Sequence, residues 1–317
     1  MNISVIIPVK NRADLLSITL ENVLEQTLPP YEIIVVDDHS TDAINKVKMK
    51  YAERVIFLNS KGNGPGAARN TGLHVATGNA IQFFDSDDLM TKNKLQVQAE
   101  LLASTTADFV YGPWVKAIHQ DGDWQQTDVI MQYYPLPANR KLSDLVLEGW
   151  CPITQSVLFL RDIIAEAGHW REDLMPHEDY EYWFRIGKIA NKFSHQNESC
   201  VVYRQHQKQI TDQDVSNQSR WLDGLHAMQL IKEEIDYKPA VHSLQLFKGS
   251  YASSKINFEK KYGYTNNLSI TLTEQFQSLY YKFFTKINHL QTGANWQKMQ
   301  GILPMENIIF RRYINML

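Results

Sequence analysis

The chain holds 317 residues, of which 44% are apolar and 21% charged, with a formal net charge of -3. That balance supports a sizeable packed core, excludes global disorder and leaves no basic field to advertise nucleic acid as a partner. Two widely separated cysteines, Cys151 and Cys200, form no CxxC pair, which speaks against a disulfide framework or structural zinc and fits a reducing cytosol.

Ile3 to Val9 is a continuous apolar run, rich in β-branched residues, and reads as a buried strand. It lacks the basic flank and small-residue cleavage site of a signal peptide. The run ends at Lys10-Asn11-Arg12. Leu16, Leu20, Val23 and Leu24 then share one helical face, and Pro29-Pro30 stops that helix. Tyr31 to Val36 is a second buried run, closing in Asp37-Asp38. Ser40-Thr41-Asp42 can cap a polar helix reaching about Tyr51. Arg54 to Leu58 predicts a third, short strand. A loop from Asn59 to Pro65 leads into a helix near residues 66–76, ended by Gly78. Ala80 to Phe84 is a fourth strand terminating at Asp85, and Thr91 is expected to cap a helix carrying Leu95, Ala99 and Leu102.

Past Phe109-Val110-Tyr111 the pattern changes. Trp114 to Asp128 reads as a hairpin around Asp121-Gly122-Asp123, Leu142 to Glu148 as a short helix and Ser156 to Leu160 as a strand. Glu178 to Ala190 is helical, with Tyr182, Ile186 and Ile189 at core spacing. Val201-Val202-Tyr203 is a short strand, and helical signals resume near Val215. Residues 1–214 are thus expected to form one α/β domain, with a first half to about 110 and a second half over 111–214, followed by a helical region over 215–317. No window approaches 18 uncharged apolar residues, so no membrane-spanning helix is expected.

Solid apolar strands alternating with helices imply a mostly parallel sheet covered on both faces. Ligands of such sheets bind beyond the carboxyl ends of the strands. The polar clusters fall there: Asn11-Arg12, Asp37-Asp38 and Asp85-Ser86-Asp87-Asp88. Three carboxylates within four residues repel one another unless solvent or a cation offsets them, and oxygen ligands on a short loop suit Mg2+ or Mn2+. A solvated acidic turn is the competing reading. Asp37-Asp38 can accept hydrogen bonds from a base or ribose, or can serve as a plain helix cap. Gly64 to Gly72 opens a helix with small residues that let a nucleotide approach the backbone, although it is neither a P-loop nor a GxGxxG. Glu178-Asp179 can be dipole partners in a first turn or a general base for a hydroxyl. Tyr203-Arg204-Gln205-His206 follows a strand, and its histidine can be structural or can join a metal or phosphate site.

In this order the pieces resemble the family 2 glycosyltransferases with a GT-A fold. The resemblance runs from Ile3 to about Thr211 and is carried by Val5 to Arg12, Ile33 to Asp42, Gly66 to Gly72, Phe83 to Asp88, Glu178-Asp179 and Tyr203 to His206. It implies an inverting, metal-dependent transferase acting on a nucleotide-sugar. Nucleotide-sugar binding would fall to Pro8, Val9, Asn11, Arg12, Asp37, Asp38, Gly66, Arg69, Asn70, Asp85, Ser86 and Asp87. The cation, Mn2+ or Mg2+, would be held by Asp87, Asp85 and His206, with Asp88 a further candidate. Asp179 would be the base, supported by Glu178. The bulky Gln207-Lys208-Gln209 departs from the small residue often found after the closing motif, which leaves that loop's donor contacts open. The resemblance favours a UDP-sugar donor, a glycan or lipid-linked acceptor, and work on a cell-surface polysaccharide in the cytoplasm or at the inner face of the membrane. Acceptor positioning is assigned to Leu147 to Ser156, including Trp150, Cys151 and Thr154, and to Trp114, with the tryptophans equally readable as core.

Two other functions compete. A non-catalytic nucleotide-sugar binder would keep the site without turnover. A sugar-phosphate nucleotidyltransferase would need a glycine-rich loop after the first strand, where Pro8 to Arg12 has no glycine. In the C-terminal region, Phe276, Leu279, Tyr280, Phe283, Ile287 and Leu290 follow helical spacing, and Ile308 to Leu317 surrounds Arg311-Arg312 with apolar residues. Packing on the domain or on a partner subunit is favoured over peripheral membrane contact, and the oligomeric state is left open.

Overall fold

The computed structural model describes residues 1–120, 123–136, 140–190, 192–206, 218–262, 270–291 and 303–304. Strand β1 (Ile3–Val9) is followed by α1 (Ala13–Leu24), β2 (Glu32–Asp37), α2 (Ile44–Tyr51), β3 (Ile56–Asn59), α3 (Gly64–Val75) and β4 (Ala80–Phe83). Next come β5 (Leu89–Met90), α4 (Lys94–Ser104), β6 (Phe109–Tyr111), β7 (Trp114–Gln120), β8 (Asp123–Met131) and α5 (Leu142–Leu147). A 3-10 turn at Thr154–Ser156 leads to β9 (Val157–Leu160), α6 (Arg161–Ala167), α7 (Glu178–Ile189), β10 (Phe193–His195) and β11 (Val201–Gln205). Helices α8 (Gln218–Glu233), α9 (Val241–Tyr262) and α10 (Leu272–Gln291) and the two-residue β12 (Leu303–Pro304) complete the described chain.

Seven strands form one sheet in the order β10-β6-β9-β4-β1-β2-β3. The pairs β1–β2, β1–β4, β2–β3 and β6–β10 are parallel, and β9 inserts antiparallel between β4 and β6. The two-residue period of a strand sorts its side chains onto opposite faces. Ile6, Ile34, Val36, Ile81 and Phe83 point into a core shared with α5, α6 and α7. Val5, Ile7, Val9, Ile33 and Val35 point into a second core against Leu16, Leu20 and Val23 of α1, Ile44 and Val47 of α2, and Leu95, Ala99 and Leu102 of α4. Burial on both faces is why these strands read as unbroken apolar runs.

The expected hairpin, seen as β7 and β8, and the expected strand at Val201, seen as β11, join β5 and β12 in a second sheet of order β12-β8-β7-β11-β5, an assembly outside the sequence expectation. Its short members β5 and β12, two residues each, carry no periodicity to find. Strand β5 pairs antiparallel with β11, so the turn between β4 and β5 passes from the first sheet to the second. Both expected caps are corrected. Helix α2 starts at Ile44 without a side-chain cap; Asp42 Oδ2 instead accepts the Ala13 amide at 2.8 Å and Ser40 Oγ the Asn11 amide at 2.9 Å. Helix α4 starts at Lys94, while Thr91 Oγ1 accepts the Cys200 amide at 3.1 Å. In both cases a hydroxyl or carboxylate found a donor across the fold in preference to its own helix.

Past residue 215 the described chain is helical apart from β12 and the connections: α8 packs on α7, α9 on α5 and α8, and α10 on α9. Leu272, Phe276 and Leu279 of α10 are exposed. The side chains of Ile287 and Leu290, the 308–317 segment, Gln207-Lys208-Gln209 and the Asp121-Gly122 turn lie outside the described residues. No described helix is long and apolar enough to cross a membrane.

Helix α7 is seated on α5 at Gly187, where a Cβ would meet the Ser143 backbone nitrogen at 2.7 Å. Alanine gains about 0.5–1 kcal/mol of helix propensity over glycine. Contact with backbone cannot relax by a rotamer change, and overpacking costs about 1–3 kcal/mol. Gly187→Ala is therefore expected to lower stability in urea denaturation by about 1–2 kcal/mol.

Candidate active site

The carboxyl ends of β1, β2 and β4 meet on one edge of the large sheet, and the turn Phe84 to Asp88 closes that edge. Side-chain oxygens of Asp85, Asp87 and Asp88 lie within 4.8 Å of one another. Asp87 and Asp88 are 4% and 0% exposed. The carboxylates draw on different partner sets, with Gln155 shared by Asp85 and Asp88. Asp87 Oδ2 receives Arg12 at 3.1 Å and His206 Nε2 at 3.0 Å. Asp85 receives Arg69 at 3.2 Å and Gln155 Nε2 at 3.0 Å. Asp88 accepts from Gln155 at 2.6 Å and from the Arg204 amide at 2.8 Å, one bond to each oxygen.

Arg204 also donates to the Asp87 carbonyl and, at 3.0 Å, to Thr19 Oγ1; the Thr19 hydroxyl donates to the Ser86 and Asp88 carbonyls at 3.0 Å. Beneath the turn, buried Lys94 donates to Gln82 and, at 2.7 Å, to Gln98. Those amides donate in turn to the carbonyls of Gln155 and Ser156 at 3.1 and 2.8 Å. Burial holds the Lys94 amine well below the usual lysine range. The acidic turn is thus fixed directly from α1, β11 and the Gln155 side chain, and the backbone of Gln155 and Ser156 is held in turn by Gln82 and Gln98 beside Lys94.

Burial, then the charges of Asp87 and Asp85, push the Asp88 carboxyl well up. Asp85 is also raised, by burial against the opposing pull of Arg69. For Asp87 burial acts upward, yet the His206 hydrogen bond and the Arg12 charge outweigh it and the net direction is down. Three hard oxygen donors that repel one another and already draw on cationic partners fit a divalent cation. Asp88 is fully buried with both oxygens on protein donors. The Asp85 side chain, although bonded through both oxygens, is 30% exposed, and Asp87 gathers Arg12 and His206 on Oδ2 alone, so Asp85 and Asp87 are the carboxylates suited to face a cation, with His206 beside Asp87.

Across this edge stands the first turn of α7. Glu178 is buried and Asp179 is open to solvent. Arg69 of α3, itself 5% exposed, spans the gap: one nitrogen reaches Glu178 Oε1 at 2.8 Å and the other Asp85. Glu178 is raised by burial, with Arg69 pulling down and Asp179 pushing up. Asp179 is raised by the mass of protein around it and by the Asp85 charge, against the pull of Arg69. Burial raises the Cys151 thiol, and the Asp179 charge adds to that rise.

The other expected site residues separate into two sets. Asp38 Oδ2 accepts Lys10 Nζ and the Gly64 amide, both at 3.1 Å, while its buried Oδ1 has no partner among the described residues. Ser86 Oγ and Thr154 Oγ1 are likewise buried without a described partner. Half-buried Pro8 and buried Val9 line the end of β1. By contrast, Asp37 is held by Lys48 at 2.8 Å and by the Ser40 amide at 2.9 Å. Asn11 accepts the Thr41 amide at 2.7 Å. Asn70 exchanges hydrogen bonds with both backbone groups of Trp170 at 2.9 Å and donates to Glu172 at 2.8 Å. A Cβ on Gly66 would meet the Arg171 carbonyl oxygen at 2.5 Å. These four stitch loops together. Trp150 is 6% exposed, edge-on to Tyr111 at 6.0 Å within the core, and Trp114 lies in the second sheet against Tyr203 at 5.9 Å.

Sequence reading missed Gln155, Arg204, Thr19 and Trp124, whose ring lies 6.5 Å from His206 and 5.5 Å from the Arg204 guanidinium. Gln155 follows Thr154 and Arg204 precedes the closing Gln205-His206, so proximity in sequence to expected site residues was the available signal.

Residues 4–166, just over half of the chain, match the model of glycosyl transferase family 2, and the chain belongs to that family. An uncharacterized glycosyltransferase of Rickettsia felis is 38% identical over 124 residues, which cover 38% of this chain and 20% of that protein. The chain thus spans about a fifth of the length of the first rickettsial relatives it matches. The amylovoran biosynthesis glycosyltransferase AmsB of Erwinia amylovora is 28% identical over 204 residues, 61% of this chain and 66% of the relative. An Escherichia coli relative, the UDP-Glc:alpha-D-GlcNAc-diphosphoundecaprenol beta-1,3-glucosyltransferase WfgD, is 35% identical over 112 residues, 35% of this chain and 44% of its own. The fold matches S. aureus TarS 1-349 with a TM-score of 0.61 at 21% identity, over 89% of this chain and 79% of that one. TarS has also been solved with UDP and with UDP-GlcNAc. The mannosyltransferase PcManGT of Pyrobaculum calidifontis, in complex with GDP-Man and Mn2+, matches with a TM-score of 0.54 at 18% identity over 94% and 84% of the two chains. At these identities the structures establish the fold, a GT-A arrangement with helices appended.

Raised folded-state carboxyls stabilise the fold below the ordinary carboxylate range, and that stabilisation is lost as pH rises through their elevated pKa. Asp85 and Asp88 are of this kind. A cation at the acidic turn is therefore expected to be most stabilising at neutral to alkaline pH. At about 100 times its dissociation constant, Mn2+ should add about 2.7 kcal/mol, a Tm rise of about 5 °C. A melting curve with and without Mn2+ checks this: the shift shrinks near pH 5 and disappears in Asp87→Ala.

Proposed function

We propose that this chain transfers a sugar from a nucleotide-sugar, with UDP the favoured nucleotide, to a hydroxyl of a glycan or lipid-linked acceptor, inverting the anomeric carbon, in the assembly of a cell-surface polysaccharide. One observation carries this reading. The acidic turn after β4 and the acid pair at the start of α7, far apart in sequence, face each other across Arg69 at 3.2 and 2.8 Å. Donor and acceptor chemistry need such opposed groups. The names of WfgD and AmsB support the polysaccharide setting, and the TarS complexes support UDP.

In this reading Asp38 offers its uncommitted Oδ1 to the base, while Lys10 and the Gly64 amide hold its other oxygen. Asp85 and Asp87 hold a divalent cation, Mn2+ or Mg2+, which when bound neutralises charge on the diphosphate. Arg12 and His206 fix Asp87, and Gln155 and Arg69 fix Asp85. Asp37, Asn11, Gly66 and Asn70 act as scaffold for these loops. The acceptor hydroxyl is a weak nucleophile, so Asp179 takes its proton as the oxygen attacks opposite the leaving group. Glu178, tied to Arg69, supports that carboxylate without facing solvent. A single displacement follows, with no glycosyl-enzyme intermediate. Thr154 and the 150–156 segment border the acceptor side, and contact with a membrane surface enters only with a lipid-linked acceptor.

Asp179→Asn is expected to lower turnover by about 10²–10⁴-fold, the range typical of a general base, with UDP affinity retained in calorimetry. Because the base works ionised and its carboxyl is raised, kcat/KM of the wild type should fall on the acid side at a pH above the ordinary carboxylate range. Near-normal turnover in the variant removes Asp179 as the base.

A further inference from the structure

Arg69 is held along its face as well as at its tip. Its guanidinium lies 4.6 Å from the ring centre of Trp170, a residue 2% exposed. Trp170 stacks on Tyr182 with ring centres 3.8 Å apart and planes 14° from parallel. Arg185 covers the Tyr182 ring at 4.9 Å and is gripped by Glu181 at 2.6 and 2.9 Å. Phe83, the last residue of β4, meets the Trp170 ring edge-on at 5.2 Å. The result is a four-layer column of guanidinium, indole, phenol and guanidinium. Its two lower layers, Tyr182 and Arg185, belong to α7, the helix that begins with Glu178 and Asp179.

This column answers a geometric problem. An ion pair fixes a charge at a point, whereas Arg69 must keep two nitrogens aimed at two acids on different elements. A ring face in contact with the guanidinium plane restricts its tilt. Asn70, the neighbour of Arg69 in α3, clamps both backbone groups of Trp170, so the platform and the arginine share one anchor.

We propose that Trp170 is a positioning residue for the transfer: by fixing the plane of Arg69 it sets the placement of the donor-side carboxylate Asp85 relative to the acid pair on α7. Trp170 touches no reacting group in this role. The inference rests on the reading of Asp179 as the base and of Asp85 as part of the donor site.

The test compares Trp170→Phe, Trp170→Leu and Arg69→Lys with the wild type. UDP affinity is measured by calorimetry in Mn2+ and folding by thermal melting. Turnover is read as UDP released from UDP-glucose, UDP-galactose or UDP-N-acetylglucosamine, whichever the wild type uses. Trp170→Leu and Arg69→Lys should lower kcat by about 100-fold, as ångström-scale misplacement does. Donor KM and UDP affinity should weaken by much less than kcat falls, since Asp87 and Asp38 still serve the donor and the placement lost is that of the donor relative to the acid pair on α7. Trp170→Phe, which keeps a ring face, should recover most of kcat. Wild-type kcat in folded Trp170→Leu overturns the proposal, as does equal impairment in Phe and Leu. If the leucine variant does not fold, Arg69→Lys decides: lysine keeps the charge and loses the planar fork, and wild-type kcat there overturns the proposal. A wild type that neither binds UDP nor releases it from any of the three sugars removes the underlying reading, and the inference with it.

Discussion

Everything in this site follows from crowding negative charge at the end of one strand. Three carboxylates within 4.8 Å close the edge at β4, and two more stand opposite on α7. Two like charges about 4 Å apart repel by about 4 kcal/mol at an effective dielectric near 20. The fold meets that repulsion with cations placed from separate elements: Arg12 from the β1–α1 loop, Arg69 from α3, and Arg204 from β11. Each arginine satisfies one carboxylate or carbonyl of the turn and thereby ties a distant segment to it. Arg204 in this way adds a charged tie between the two sheets, which β5 already joins through its pairing with β11.

The three aspartates consequently differ. Asp88, with both oxygens engaged, is a pin that holds the turn to β11 and to Gln155. Asp87 is held down in pKa by His206 and Arg12 and stays ionised. Asp85 is raised by burial and shares Arg69 with Glu178. Neighbours in sequence thus serve structure, coupling and, in the proposed reading, ligation. The buried Lys94 belongs to the same arrangement: through Gln82 and Gln98 it holds the carbonyls of the segment whose Gln155 side chain touches Asp85 and Asp88.

Much of this was legible in the chain because it is local. The mostly parallel sheet was written in runs such as Ile3 to Val9 and Tyr31 to Val36, and the acidic turn, the acid pair and the closing histidine appear as short motifs. What was hidden depends on contacts across long separations. Sequence could not distinguish Asp37, closed by Lys48 and Ser40, from Asp38, whose Oδ1 stays uncommitted. It placed Arg69 and Asn70 with the nucleotide, whereas Arg69 bridges two acids and Asn70 clamps Trp170. The small Gly66 accommodates the Arg171 carbonyl, an approach that any glycine-rich helix start could have served. Tryptophans were ambiguous for the same reason: Trp150 is core, while Trp170, which carried no motif, sits at the centre of the site.

In the proposed function, the edge formed by β1, β2 and β4 is a nucleoside-diphosphate site completed by a cation at Asp85 and Asp87. Calorimetric titration of UDP into the protein, first with Mn2+ and then with EDTA, tests it most directly. Saturable binding in Mn2+ that is lost in EDTA is the predicted result. Equal binding in both, or none in either, contradicts it.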